Sequence, residues 1–323
     1  EASVAPFLTG ETTASIVAAV HHISHALRGA RISELGVVSD LIAGCIVGNP
    51  AAKAAVEVAA HDAAARAIDV PLHALLGGAR VKELPCLHLI GNGDPDRDIR
   101  EAEAKVGEGF TAIKYKVANG DLATEADTLV RLREALGTSI MLCADANGGW
   151  SRRDATAFVR LADASMADFL EQPVASEDHD GMALVARSGR IPVGADESVH
   201  AIGDIRRLIE SGAAAGGSFK IMKLGGIRPC LEACQLSAAL GGEVNLSGKV
   251  GETSIANAAT LALAAAWGKP SWGLSLTNGY LATDPVQDPL QLQAGRAQIR
   301  DGAGLGIRVD ETRIERMAIR PAA

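Results

Sequence analysis

From a lysine pair at positions 114 and 116 onward, short apolar runs end in charge at a near-constant interval: MLCAD at Asp145, DFLE at Glu171, IPVGAD at Asp196 and FKIMK at Lys220. The steps from Lys116 are 29, 26, 25 and 24 residues, each about the length of one strand plus one helix. A chain with that cadence is read as a (β/α) barrel, in which chemistry gathers at the C-terminal ends of the strands. The pair itself sits in AIKYKV, Ala112 to Val117, where a period of two points Lys114 and Lys116 one way and Ile113, Tyr115 and Val117 the other. Two ammonium groups so close are expected to lower each other's pKa, which suits a lysine that must act as a neutral base.

Three carboxylates on successive strand ends converge on one space, and negative charges without a counterion are too costly to leave there together. A hard divalent cation is the simple remedy, because one carboxylate oxygen per strand leaves coordination positions open for substrate or water. Each of these residues also has a plainer reading: Asp145 as a helix cap before Asn147-Gly148-Gly149, and Glu171 as a strand end before Gln172-Pro173. Asp196 and Glu197 are adjacent, so strand parity lets only one of them face the site. Lys223 has the opposite parity to Lys220 and is expected to be structural.

Length and charge bound the alternatives. The 323 residues hold one barrel of roughly 250 residues and a smaller domain. A net charge of −8, with 31 dispersed basic residues and few aromatic platforms, argues against a nucleic-acid face. No uninterrupted apolar run is long enough to span a bilayer, so no membrane partner is expected. The five cysteines lack zinc-like pairing, and Cys230 and Cys234, one helical turn apart, are expected to be buried small hydrophobes. With no leader visible, a reducing cytoplasm is the expected location.

Together these residues resemble the enolase superfamily, in its muconate-lactonizing subgroup (mandelate racemase/muconate lactonizing enzyme-like). The resemblance is carried by the KxK strand, Asp145 in DAN, Glu171 in EQP, Asp196 in ADES, and Lys220 followed by Lys223, Gly225 and Gly226, and it covers essentially the whole chain. It implies an α/β fold, a modified TIM barrel of the (β/α)7β type with an α+β capping domain. The expected boundaries are 1–80 for the N-terminal part of the cap, 81–284 for the barrel and 285–323 for a tail returning to the cap. Glu1 resembles the glutamate of a GEA turn in that family, so an antiparallel sheet with a substrate-covering loop is expected to precede it.

The implied chemistry is Mg2+-dependent removal of the proton α to a carboxylate, giving an enediolate, with Mn2+ as a substitute metal. Asp145, Glu171 and Asp196 are the implied ligands, with Asn147 and Glu197 behind them. Lys114 is the implied stabiliser of developing charge, and Lys116 and Lys220 the proton-transfer groups on the two substrate faces. Such an intermediate leads to racemisation or epimerisation of an N-substituted amino acid or proline derivative. The alternatives are dehydration or cycloisomerisation through the same intermediate, and a metal-binding homologue without activity.

Substrate specificity falls to the eighth strand. Dipeptide epimerases of this family carry a DxD pair there for a substrate ammonium, whereas this chain has Leu276 and Asn278 in that neighbourhood. Trp272, Asn278 and Tyr280 are the substrate-binding candidates, the aromatics as faces for a cationic or N-alkylated group. The expected partners are a small carboxylate substrate and further copies of the chain in a homo-oligomer.

Overall fold

The computed structural model describes residues 1–268 and 270–318. Eight parallel strands form one sheet in sequential order: β1 (His88–Ile90), β2 (Ala112–Lys116), β3 (Met141–Asp145), β4 (Phe169–Glu171), β5 (Val193–Ala195), β6 (Gly216–Phe219), β7 (Glu243–Ser247) and β8 (Leu274–Ser275). The ring closes where the Leu87 N–H donates to the Leu274 carbonyl at 2.8 Å, beside a parallel bridge between Cys86 and Leu274. A crossover helix leads from each of the first seven strands to the next, and β8 is the last strand of the ring. The architecture is therefore the modified TIM barrel, with seven βα units and a final strand.

The crossover helices start where the sequence supplies caps. Asp94, Asp121, Ser151, Asp178 and Thr253 each accept a backbone N–H from the first turn of the helix that follows. Each such cap stabilises its helix by about 1 kcal/mol.

Strand parity sets two inner layers. Leu87, Ala112, Cys143, Phe169 and Trp272 form a buried apolar plug, with Trp272 stacked on Phe169 at 4.3 Å between ring centroids. Gly194 on β5 makes this possible, since a Cβ there would stand 2.9 Å from the Trp272 ring. One step further along the strands the inner residues become Lys114, Lys116, Asp145 and Glu171, in register through the Lys116–Asp145 and Asp145–Glu171 strand pairs. Apolar matter thus seals the floor of a charged mouth.

The apolar stretch from Leu84 to Ile90 is divided between two sheets. Glu83–Pro85 pairs antiparallel with Arg296–Gln298, which pairs in turn with Leu292–Gln293, and only His88–Ile90 belongs to the barrel. The switch comes at Cys86 and Leu87, whose N–H groups donate to Gly295 and to Leu274 respectively. FKIMK is shorter as a strand than its apolar pattern suggests, since β6 ends at Phe219 and Ile221–Leu224 is a helical turn.

Before the barrel, helices Thr13–Ala26, Leu35–Gly44 and Pro50–Ala67 pack around their own apolar cluster, which Met222 joins from the barrel side. Buried carboxylates fasten this region. Glu11 accepts the Ala51 and Ala52 N–H groups, and Glu57 accepts those of Ile227 and Arg228 at the start of helix Ile227–Ala239. The tail comes back to the same helices: Gly304 exchanges backbone hydrogen bonds with Val70 and Leu72, and the Leu305 N–H donates to Asp62. Residues 319–323 of the tail lie outside the described residues. No described helix is long and apolar enough to cross a membrane.

Candidate active site

A cavity of about 780 Å³ opens at the C-terminal ends of the barrel strands. Lys114, Lys116, Asp145, Asn147, Glu171, Glu197, Lys220 and Tyr280 all line it. Lys114 is buried, and its Nζ donates to Glu171 Oε2 at 2.5 Å. Lys116 donates to Asp145 Oδ2 at 2.6 Å and to Asn147 Oδ1 at 2.5 Å. Lys220 pairs with Asp196 Oδ2, while the fully buried Lys223 donates to Asp196 Oδ1 and to its backbone carbonyl.

Local backbone places these groups. Gly91, at the end of β1, has φ of +157°, and a Cβ there would lie 2.8 Å from Lys116 Cβ, so a side chain at 91 would displace that lysine. Asn147 adopts a left-handed φ of 44° just past β3, accepting from Lys116 through its oxygen and donating to Glu197 Oε1 at 3.0 Å through its amide nitrogen. Gln172, at φ 38°, is a further residue in this rarely populated region. Its Oε1 accepts the N–H groups of Asp196 and Ser198, and its Nε2 donates to Ser198 Oγ. Gln172 therefore sets the direction of the Asp196 backbone, a role the EQP triplet did not reveal from sequence.

The electrostatics follow from crowding in a buried place. Burial opposes the charge on Lys114, but the Glu171 and Asp145 carboxylates outweigh it and raise its pKa. The mutual depression expected of two neighbouring lysines is thus overcome at Lys114 by the carboxylates facing it. Lys220 behaves alike, with Asp196, Glu171 and Glu197 raising it against burial. Burial also opposes ionisation of Asp196, yet Lys220 and Lys223 hold its carboxyl well below the usual range. Glu171 goes the other way: burial and then the charge of Asp145 push it up to about 7, despite Lys114. Burial and Asp196 likewise raise Glu197.

Among the described residues, no three acidic, histidine or cysteine side chains converge as a ready cation cage, and a lysine ammonium pairs with each of the three carboxylates. The donor set itself fits a hard divalent ion. Three buried carboxylates project from the ends of β3, β4 and β5, and the upward push on Glu171, from burial first and then from Asp145, is one that such an ion would relieve.

The eighth-strand expectations divide. Tyr280 lines the cavity, and its hydroxyl accepts the Leu89 N–H at 3.1 Å. Trp272 belongs to the apolar plug, and Asn278 is buried with its amide donating to the Leu290 carbonyl, so neither is among the residues lining the cavity. The cavity wall there consists of Ser275, Leu276 and Thr277, joined by Ser247 and Lys249 from β7 and its loop. Phe7 and Leu8 reach the cavity from the N-terminal segment.

This barrel, with charged strand ends facing one cavity, defines an enzyme class. The family described as enolase C-terminal domain-like matches residues 97–313, and the mandelate racemase/muconate lactonizing enzyme N-terminal domain matches residues 1–77. The chain belongs to the enolase superfamily and is of the mandelate racemase/muconate lactonizing type. It is 27% identical to the N-succinyl-L-Arg/Lys racemase of Bacillus cereus, over 97% of this chain and 84% of the relative. It is 29% identical to the chloromuconate cycloisomerase of Cupriavidus pinatubonensis, over 97% of this chain and 85% of the relative. The muconate lactonizing enzyme from Klebsiella pneumoniae superposes with a TM-score of 0.92 at 27% identity, covering 99% of this chain and 89% of the other. Enediolate chemistry of the racemase, epimerase and cycloisomerase kind is therefore the chain's class of reaction.

Proposed function

We propose that the chain forms an enediolate from a carboxylate substrate and that its product arises by cycloisomerisation or β-elimination. The observation that carries the enediolate, which both products share, is that Lys116 and Lys220 line one cavity from β2 and from the end of β6, four strands apart and so on opposite sides of an eight-stranded ring. A substrate carboxylate beside Lys114 places its α-carbon between the two lysines. Asp145, Glu171 and Asp196 would hold the Mg2+, or Mn2+ in its place, which when bound supplies Lewis-acid stabilisation of the carboxylate. Lys114 adds a fixed positive charge beside the same carboxylate. Asn147 bridges Lys116 to Glu197 and keeps that lysine aimed at the substrate. The apolar plug below and Phe7 and Leu8 at the edge give the cavity apolar boundaries.

The choice of product rests on two supports. The cycloisomerase relative and the lactonizing enzyme resemble the chain along nearly its whole length. On β8, the wall of Ser275, Leu276 and Thr277 offers no acid pair to a substrate ammonium. Racemisation or epimerisation of an N-substituted amino acid is the second reading, favoured by the racemase relative of equal coverage and by the presence of both lysines. Chloromuconate and N-succinyl amino acids, the substrates named for those relatives, each bear a second carboxylate.

Proton NMR in deuterated water with Mg2+ separates the outcomes, using muconate, N-succinyl-L-arginine and 3-hydroxyproline as probes. Cycloisomerisation places one solvent deuteron in a lactone, elimination yields an enamine, and racemisation replaces Hα with inversion. Chelation of the metal should abolish each signal. Binding of these probes with no deuterium uptake and no product would favour the inactive homologue.

A further inference from the structure

We infer that Lys249 is the recognition site for a second anionic group, a carboxylate, at the end of the substrate remote from the reacting carbon. The inference rests on the enediolate reading above and names the substrate class for it. Four lysines line the cavity. Lys114, Lys116 and Lys220 each pair with a carboxylate, whereas among the described residues Lys249 has no carboxylate partner, its Nζ touching only the Val4 carbonyl at 3.3 Å. An ammonium beside a cavity and without a counterion has charge available for a ligand, and a charge-assisted hydrogen bond is stronger than a neutral one.

Its position is built rather than incidental. The Lys249 N–H donates to Glu252 Oε2 at 2.9 Å, and its carbonyl accepts from Thr277 Oγ1 at 2.8 Å. Glu252 and Thr277 are both buried, so the backbone of this loop residue is held from two sides while its side chain remains partly exposed. Lys249 follows β7, which lies four strands from β3 in the ring and therefore faces Asp145 across the mouth. A substrate anchored by one carboxylate at Lys114 and extended over the cavity meets Lys249 with its other end. Leu276 and Val250 line the same side and suit an apolar linker between the two anionic ends.

The test is calorimetric binding of adipate and of hexanoate, a dicarboxylate and a monocarboxylate of equal chain length, with Mg2+ present. The unaltered protein should bind adipate about tenfold more tightly than hexanoate. Lys249→Met should bring that ratio close to one, and Lys249→Arg should keep it. A purely structural role for Lys249, through its contact with Val4, would weaken both ligands alike and leave the ratio standing, which overturns the inference. An unaltered protein with no preference for adipate overturns it too. Failure of the enediolate reading shows separately: loss of the ratio in Lys249→Met with no deuterium uptake and no product from any probe would leave the anion site standing and remove the chemistry.

Discussion

The two arcs of the barrel mouth are built on different principles. From β2 to the end of β6 the rim carries Lys114, Lys116, Asp145, Glu171, Glu197 and Lys220, and its lysines stand in close pairs with carboxylates. From β7 to β8 the rim carries Ser247, Ser275, Leu276 and Thr277, with Lys249 as its one charged cavity-lining residue among the described residues. Each arc also contains a buried glutamate pushed up to about 7. For Glu171 the causes are burial and then Asp145; for Glu252 burial is the main cause, opposed by one backbone N–H and assisted by Glu1. The same displacement thus has two meanings. In the first arc it marks a carboxylate buried beside another, and in the second it marks a carboxyl that fixes a loop.

If the first arc performs the proton transfers, its substitutions should have the largest effects. Lys116→Ala and Lys220→Ala should each lower turnover by about 10²–10⁴, the usual worth of a positioned acid or base. With a substrate that racemises, each variant should lose inversion but retain Hα exchange for the enantiomer presented to its surviving lysine. Full inversion by Lys220→Ala would break the opposed-face assignment. Lys114→Ala comes next, with a loss of about 10²–10³ in both directions, because the charge it supplies serves the intermediate from either face. An effect confined to one direction would make Lys114 a face-specific group. On the opposite arc, Ser275→Ala removes a neutral hydrogen bond at most, and its cost should stay within about tenfold.

The same contrast explains what the sequence disclosed. Charge at the end of an apolar run is conspicuous, so Asp145, Glu171, Asp196 and the lysines could be picked out with the period that places them together. The second arc had no such mark: a serine or threonine at a strand end looks like any turn residue, and Lys249 lies in a glycine-containing loop. Trp272 drew attention as an aromatic, but it lies two residues before the start of β8 and its ring belongs to the floor, on Phe169. Glu57 and Gln172 act through backbone N–H groups that are close in space, with Glu57 170 residues from Ile227, and no local pattern announces such a bond. The division of Leu84–Ile90 was hidden for a related reason, since the partner of its first half lies near residue 297.

Glu252 gives the sharpest separation of the two arcs, read in stability rather than in turnover. Its carboxyl rises from 4.5 to about 7 on folding, so between those values the folded chain keeps a proton that the unfolded chain has released. This contribution to stability is complete below about pH 4.5 and is lost as the pH rises through about 7. Glu252→Gln keeps an oxygen to accept the Lys249 N–H but carries no charge to desolvate. The variant should match the unaltered protein at low pH and exceed its stability by about 3 kcal/mol above pH 7. Urea unfolding at pH 5 and pH 8 measures the difference, and parallel pH profiles for the two proteins would show that the buried carboxyl is not what titrates. Such a result would also remove the contrast with Glu171, because a Glu252 that ionises without cost must have a counterion. Lys249, whose backbone already meets that carboxyl, would be the first group to examine as its source.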